Sequence, residues 1–274
     1  MNVFRYFVKR EKENKAATAA QCLYVAACLS SFVYFLVTGG GVNNVTVSLS
    51  YILILSVPYL GEYVFRGKCP QWFVVLVYIN AFLAFLGEAY NLYFLFPPLD
   101  VVLHFSNGAV MGMIGFALVG HFIDWRENRK NLLACAAFAV MCGITVSAVW
   151  EFYEYIRSML TGMDHEEDVF ISSIRSFTLS GTHDRPLVLD NIPKTLIYYN
   201  GGDDVCELNG YLDIGLSDTI TDMLSGTLGS LLVLPLSLIK KGGERIFPER
   251  FFPSTDKRRE AKEQKTDSQA VDRC

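Results

Sequence analysis

Three pairs of polar residues in this sequence have the residue types and the spacing of a metal or acid–base site. The members of each pair are three or four residues apart, so on an α-helix both lie on one face. The pairs are Asp100 and His104, Glu151 and Glu154, and Asp218 and Asp222. We predict that their carboxylates and the imidazole meet at one shared site.

The chemistry of such a site follows from its charge. Carboxylates at one level of a protein repel one another unless a cation or shared protons compensate. Oxygen ligands favour Mg²⁺, Ca²⁺ or Mn²⁺, and His104 would also admit Zn²⁺. In a catalytic form of the site, His104 acts as acid or base, and Glu151 and Asp218 take part in holding the metal or activating water. Without a metal, acids with raised pKa values would form a proton relay.

The apolar runs that contain these pairs are long enough to cross a membrane. Of the 274 residues, 51% are hydrophobic, and they are grouped in runs rather than in amphipathic stripes. We therefore predict an all-α, polytopic integral membrane protein with six transmembrane helices in a lipid bilayer. The predicted spans are 17–38, 45–65, 71–94, 100–123, 131–156 and 213–239. The remaining segments are a basic N-terminus at 1–16, an acidic loop at 157–212 and a basic, disordered tail at 240–274.

Lysine and arginine are divided unevenly between the two sides of these spans. Twenty of them lie in the N-terminus, the turns after spans two and four, and the tail, whereas four lie in the acidic loop. Because short segments rich in Lys and Arg stay on the cytoplasmic side, we predict that both termini are cytoplasmic and the acidic loop is external. The start of span four, the end of span five and the start of span six then share the outer level, where the three pairs lie.

Two further features concern packing rather than chemistry. Small residues on span four (Gly108, Gly112) and on span six (Ser225, Gly229) predict a close approach of two helices. Glu62 is near the inner end of span two, away from the predicted site. We interpret it as an interfacial or snorkelling acid.

Three classes of function fit these observations. In the first, the protein binds or acts on an amphiphile at the outer leaflet, such as a lipid-linked phosphate or another cell-envelope substrate. The second is a proton- or ion-coupled transporter, because acids in membrane helices often mark an ion path. The third is a non-catalytic membrane scaffold in which the acids form a structural plug. No nucleic-acid partner is expected, because the basic tail favours lipid contact.

The arrangement of these motifs resembles a known family. The motifs are Asp100-x-x-x-His104, Trp150-Glu151-x-x-Glu154, and the stretch from Gly210 to Met223 ahead of Gly229. Together they resemble the YjdF-like bacterial membrane proteins and, more distantly, the VanZ-like group associated with glycopeptide resistance. The resemblance covers roughly residues 75–235. It implies a multi-span protein of the bacterial cell (inner or plasma) membrane that carries this residue set, and it implies no particular reaction.

Overall fold

The computed structural model describes residues 2–65, 69–120, 122–241 and 244–245. The chain divides into two compact units, one formed by 1–146 with 225–274 and the other by 147–224. The tail predicted at 240–274 lies outside the described residues, apart from 240–241 and 244–245.

Within the described residues, six helical segments are long and apolar enough to cross a membrane. They are Lys15–Thr38, Gly41–Tyr63, Gln71–Tyr90, Pro98–Val119, Arg129–Thr161 and Leu216–Leu238. Helices suit a bilayer because each one satisfies its backbone hydrogen bonds internally. The prediction of an all-α membrane protein with six spans is therefore confirmed.

Helix ends follow local residue chemistry. In chain order, the helices are α1 (Val3–Glu13), α2 (Lys15–Thr38), α3 (Gly41–Ile54), α4 (Val57–Phe65), α5 (Gln71–Tyr90), α6 (Leu92–Leu95), α7 (Pro98–Val119), α8 (Arg129–Thr161), α9 (Phe177–Ser180), α10 (Leu216–Leu231) and α11 (Val233–Leu238). Gly39 and Asn91 adopt the left-handed conformation that ends a helix, with φ of 72° and 53°. The second span is interrupted between α3 and α4, and Pro58 is the second residue of α4. Proline is tolerated there because an N–H in the first turn has no partner within the helix.

The core of the first unit contains aromatic residues of α2, α3 and α5, including Tyr24, Tyr51 and Phe85. Buried tyrosine hydroxyls need acceptors, and both hydroxyls here have one. The Tyr24 hydroxyl donates to the carbonyl oxygen of Ala81 at 3.1 Å, and the Tyr51 hydroxyl donates to Glu88 Oε1 at 2.5 Å. Apolar packing and polar anchoring thus hold the same three helices.

The predicted close packing of small residues is confirmed. A Cβ atom added at Gly108 would lie 2.0 Å from the carbonyl oxygen of Gly226, and one added at Gly229 would lie 1.8 Å from that of Phe105. At Gly112 it would lie 2.9 Å from a Val233 methyl group. Only glycine allows these backbones to approach so closely.

Glu62 is buried rather than interfacial, with 2% of the residue exposed. Arg10 donates to its two carboxylate oxygens through Nε at 2.5 Å and Nη2 at 2.7 Å. The Tyr6 hydroxyl and the Cys69 backbone N–H add donors at 2.9 Å and 2.8 Å. The hydrogen bonds to Glu62 raise the pKa of Arg10, so the guanidinium is charged. The prediction of a snorkelling acid is wrong because α1 folds back onto α4 and brings Arg10 to Glu62.

Short antiparallel strand pairs occupy much of the predicted acidic loop. The strands are β1 (Val169–Ile171), β2 (Ile174–Ser176), β3 (Leu187–Leu189), β4 (Thr195–Tyr199), β5 (Asp204–Leu208) and β6 (Tyr211–Asp213), and the chain continues later with β7 (Lys240–Lys241) and β8 (Glu244–Arg245). The pairs are β1 with β6, β2 with β3, β4 with β5, and β7 with β8. Because β6 leads directly into α10, its pairing with β1 fixes where α10 begins.

Candidate functional site

Asp100 and His104 lie side by side in the first unit. Asp100 is in the first turn of α7, where a negative charge interacts favourably with the helix dipole. His104 Nε2 is 3.6 Å from Asp100 Oδ1, and 11% and 15% of the two side chains are exposed. That separation is too long for a hydrogen bond but allows an ion pair when the imidazole is protonated. The pair can therefore hold a proton or contribute to a cation site.

Glu151 and Glu154 lie on α8 in the second unit and differ in their surroundings. Glu151 is buried, with 5% of the residue exposed, whereas Glu154 is partly exposed. The indole Nε1 of Trp150 donates to Glu154 Oε1 at 2.7 Å, and the Trp150 ring lies against Tyr153. The indole thus orients one carboxylate, while the other is enclosed.

Asp218 and Asp222 lie on α10, also in the second unit. Asp218 is in the first turn and partly buried, whereas Asp222 is one turn further along with 1% of the residue exposed. The start of the helix is capped by Asp213, whose Oδ2 accepts from the backbone N–H of Ser217 at 2.8 Å. This cap sets the register in which Asp218 and Asp222 occupy successive turns.

The six predicted residues are divided between the units, with Asp100 and His104 in the first and the four other carboxylates in the second. A carboxylate buried in an apolar helix persists only when a cation, a proton or hydrogen-bond donors compensate its charge. The possible metal-ligand atoms of the four carboxylates in the second unit are oxygens, the ligand type that Mg²⁺, Mn²⁺ and Ca²⁺ prefer. In ligand type, these residues are therefore those that a hard divalent cation takes.

Two contributors to the site were not predicted from the sequence. The first is Trp150, whose spacing of four residues from Glu154 allows their side chains to meet on one helix face. The second is Asp213, the first residue of predicted span six. In the structure it ends β6 and caps α10. The Asp-x-x-x-Ser spacing ahead of an apolar run was the available signal for that cap.

Comparison with known proteins agrees with the architecture. A model of the family described as "Predicted membrane protein (DUF2238)" matches residues 20–241, which include helices α3 to α11 and the three polar pairs. No curated protein and no solved structure matches the chain. The chain therefore belongs to this DUF2238 family of membrane proteins, which is the YjdF-like family that its motifs resemble.

Proposed function

We propose that this membrane protein binds a divalent cation through Glu151 and Asp222, and that the cation binds the phosphate of a lipid-linked or other cell-envelope substrate. The observation that carries the proposal is the burial of both carboxylates, at 5% and 1% exposure, in helices that can cross a membrane. Burial of ionised acids in such helices is costly, so acids in these positions usually have a function.

A fuller ligand set is available from the neighbouring turns. Glu154 and Asp218 lie three and four residues from the buried acids on the same helices. The inclusion of Asp100 and His104 in this set stays a prediction from the sequence. Hard divalent cations take six or more oxygen ligands, including those of waters and substrate, so several carboxylates are consistent with one ion.

The positions along the helices are consistent with a headgroup substrate. Glu151 lies 22 residues after the start of α8, which corresponds to about 33 Å of helix, close to the roughly 30 Å thickness of a bilayer's hydrocarbon core. Asp222 lies six residues after the start of α10, or about 9 Å along it. We propose that these helix ends face outwards and that both termini are cytoplasmic, as the Lys and Arg distribution favours. In a bacterial plasma membrane the substrate would then lie in the outer leaflet.

Each protein residue has a defined role in the catalytic form of this proposal. A bound cation would neutralise phosphate charge and lower the pKa of a coordinated water. Glu151 and Asp218 would hold the cation and so orient the substrate phosphate. The acid or base role that the sequence analysis gives to His104 stays a prediction.

Cation affinity of the purified, detergent-solubilised protein tests the proposal. We expect Mn²⁺ or Mg²⁺ to bind in calorimetric titration, and Glu151→Gln or Asp222→Asn to weaken binding by about tenfold or more, since each removes a charged ligand. Asp184→Asn, which neutralises an exposed acid of the same unit, should leave the affinity unchanged. Wild-type protein that binds none of Mg²⁺, Mn²⁺, Ca²⁺ and Zn²⁺ would refute the proposal.

A second measurement separates this function from a scaffold role. Asp218→Ala should reduce cation affinity while membrane abundance stays close to that of the wild type. If abundance falls and the protein that remains binds the cation normally, Asp218 has a structural role and the scaffold function is favoured.

A further inference from the structure

Helix α1 forms within the N-terminal segment that the sequence identifies only as basic. It ends at Glu13, and after Asn14 the membrane-crossing helix α2 begins at Lys15. Because α2 is itself a span, the residues directly before it lie at a membrane boundary. The C-terminal end of α1 therefore lies at the level of the lipid headgroups.

One face of α1 is held against the first unit. Arg10 is buried in its ion pair with Glu62, and its Nη2 also donates to the Cys69 carbonyl oxygen at 3.1 Å. On the same face, the Tyr6 and Phe7 rings make edge contacts with Tyr63 and Tyr59. These contacts fix which face of the helix points away from the protein.

The opposite face carries exposed cations. Arg5, Lys9 and Lys12 are all exposed and are spaced at four and three residues, so they form one stripe along the helix. The exposed Phe4 lies beside that stripe, with 75% of the residue accessible. Lys9 also lies 3.7 Å from Glu13, but an ion pair this exposed contributes little and leaves the ammonium available.

We propose that this face of α1, formed by Arg5, Lys9, Lys12 and Phe4, binds the headgroups of anionic phospholipids in the leaflet where α2 begins. Phosphate groups complement the cations, and Phe4 can enter the region between headgroups and acyl chains. A lipid surface fits better than a soluble acidic partner because the helix joins directly to a span and combines its cations with an exposed aromatic ring. This inference does not depend on the proposed cation site.

Lipid binding at this face also bears on the stability of the first unit. Through Arg10, α1 is tied to α4 and to the turn before α5. An anionic lipid that binds α1 in place therefore stabilises these connections, because a ligand of the folded state shifts unfolding by mass action. We expect the full-length protein to unfold at a higher temperature in nanodiscs that contain phosphatidylglycerol than in phosphatidylcholine alone.

The test compares a charge-neutralised α1 with a matched control in the full-length protein. The first variant carries Arg5→Gln, Lys9→Gln and Lys12→Gln. The control carries Arg175→Gln, Arg185→Gln and Lys194→Gln, which remove the same charge from exposed positions of the second unit. The readouts are the relative affinity for phosphatidylglycerol over phosphatidylcholine, measured by native mass spectrometry, and the difference in thermal midpoint between the two nanodisc types.

The two possible outcomes are distinct. Each basic residue near an anionic surface contributes about 1 kcal/mol, or about fivefold in affinity, so the α1 variant should lose at least about tenfold in lipid preference. It should also lose the lipid-dependent rise in midpoint, while the control keeps both. If the α1 variant keeps the preference, or if the control loses it equally, the lipid site on α1 is refuted. An acidic protein or a second copy of the chain would then be the next occupant to test.

Discussion

Glu62→Gln should destabilise the protein far more than other carboxylate-to-amide changes. The Glu62 side chain is fully buried and accepts from Arg10, from the Tyr6 hydroxyl and from the Cys69 backbone N–H. The amide keeps one acceptor oxygen but turns an N–H donor group towards the Arg10 donors. The buried guanidinium then keeps only the partly exposed Glu13, at 2.8 Å from Nη1, as a counter-charge.

The expected loss in the free energy of unfolding follows from this loss of charge compensation at the buried Arg10. Breaking a buried ion pair by removing one partner costs about 3–5 kcal/mol, which is a large share of the total stability of about 5–15 kcal/mol typical of a protein. Replacing both partners with apolar residues of similar size is often neutral. We therefore expect Arg10→Met combined with Glu62→Leu to recover most of the stability that Glu62→Gln loses.

Unfolding by denaturant in detergent micelles measures these differences. The control is Glu207→Gln, which neutralises an exposed acid that lies 3.4 Å from Lys194 and should change the free energy of unfolding by less than about 1 kcal/mol. The reasoning is refuted if Glu62→Gln costs no more than Glu207→Gln. It is also refuted if the double variant loses as much free energy of unfolding as Arg10→Met and Glu62→Leu lose separately when added, because changes at coupled partners should not be additive.

Two further changes test the packing and the acidic loop. Gly108→Ala places a Cβ 2.0 Å from a backbone oxygen and should lower the free energy of unfolding by about 1–3 kcal/mol. Gly61→Ala, with open space around it, should be neutral or slightly stabilising. Equal effects of the two changes would contradict the packing argument. Burial, and after it the charge of Asp164, raises the pKa values of Glu166 and Asp168. The folded state is therefore less stable at a pH above these raised pKa values, where both acids are ionised, and this loss disappears in acid, where both are protonated. Asp164→Asn should therefore raise the thermal midpoint at neutral pH and match the wild type in acid, and a difference that does not vary with pH would show that repulsion is not the cause.

The six spans could be predicted from the sequence because each is a continuous apolar run, and a bilayer leaves the helix as the simplest structure for such a run. The glycine contacts could be predicted for a similar reason. Gly108 and Gly112 are spaced for one helix face, and small residues on a face indicate close approach. Both signals lie within one element and need no knowledge of distant residues.

The polar contacts depended on distant pairing and could not be predicted in the same way. Glu62 and Arg10 are 52 residues apart, and nothing in the local pattern of span two indicates a buried counter-ion. The strand pairs of the acidic loop are a second example. Val169 and Asp213 are opposite each other in β1 and β6, although they are 44 residues apart in the sequence. Periodicity identifies elements, but it does not specify which of them pair.

The source of the compensating charge separates a structural role of a buried acid from a binding role. For Glu62 that source is Arg10, supplied by α1. Helix α10 contains no lysine or arginine, and α8 has Arg157 six residues after Glu151, so other residues of the protein, protons or a bound cation can compensate the charges of Glu151 and Asp222. An ion pair within the protein fixes a structure once it has folded, whereas protons and cations exchange with solution. Exchange of that kind is what a binding, catalytic or transport function requires, and the cation titrations of Glu151→Gln and Asp222→Asn test whether these two acids take part in it.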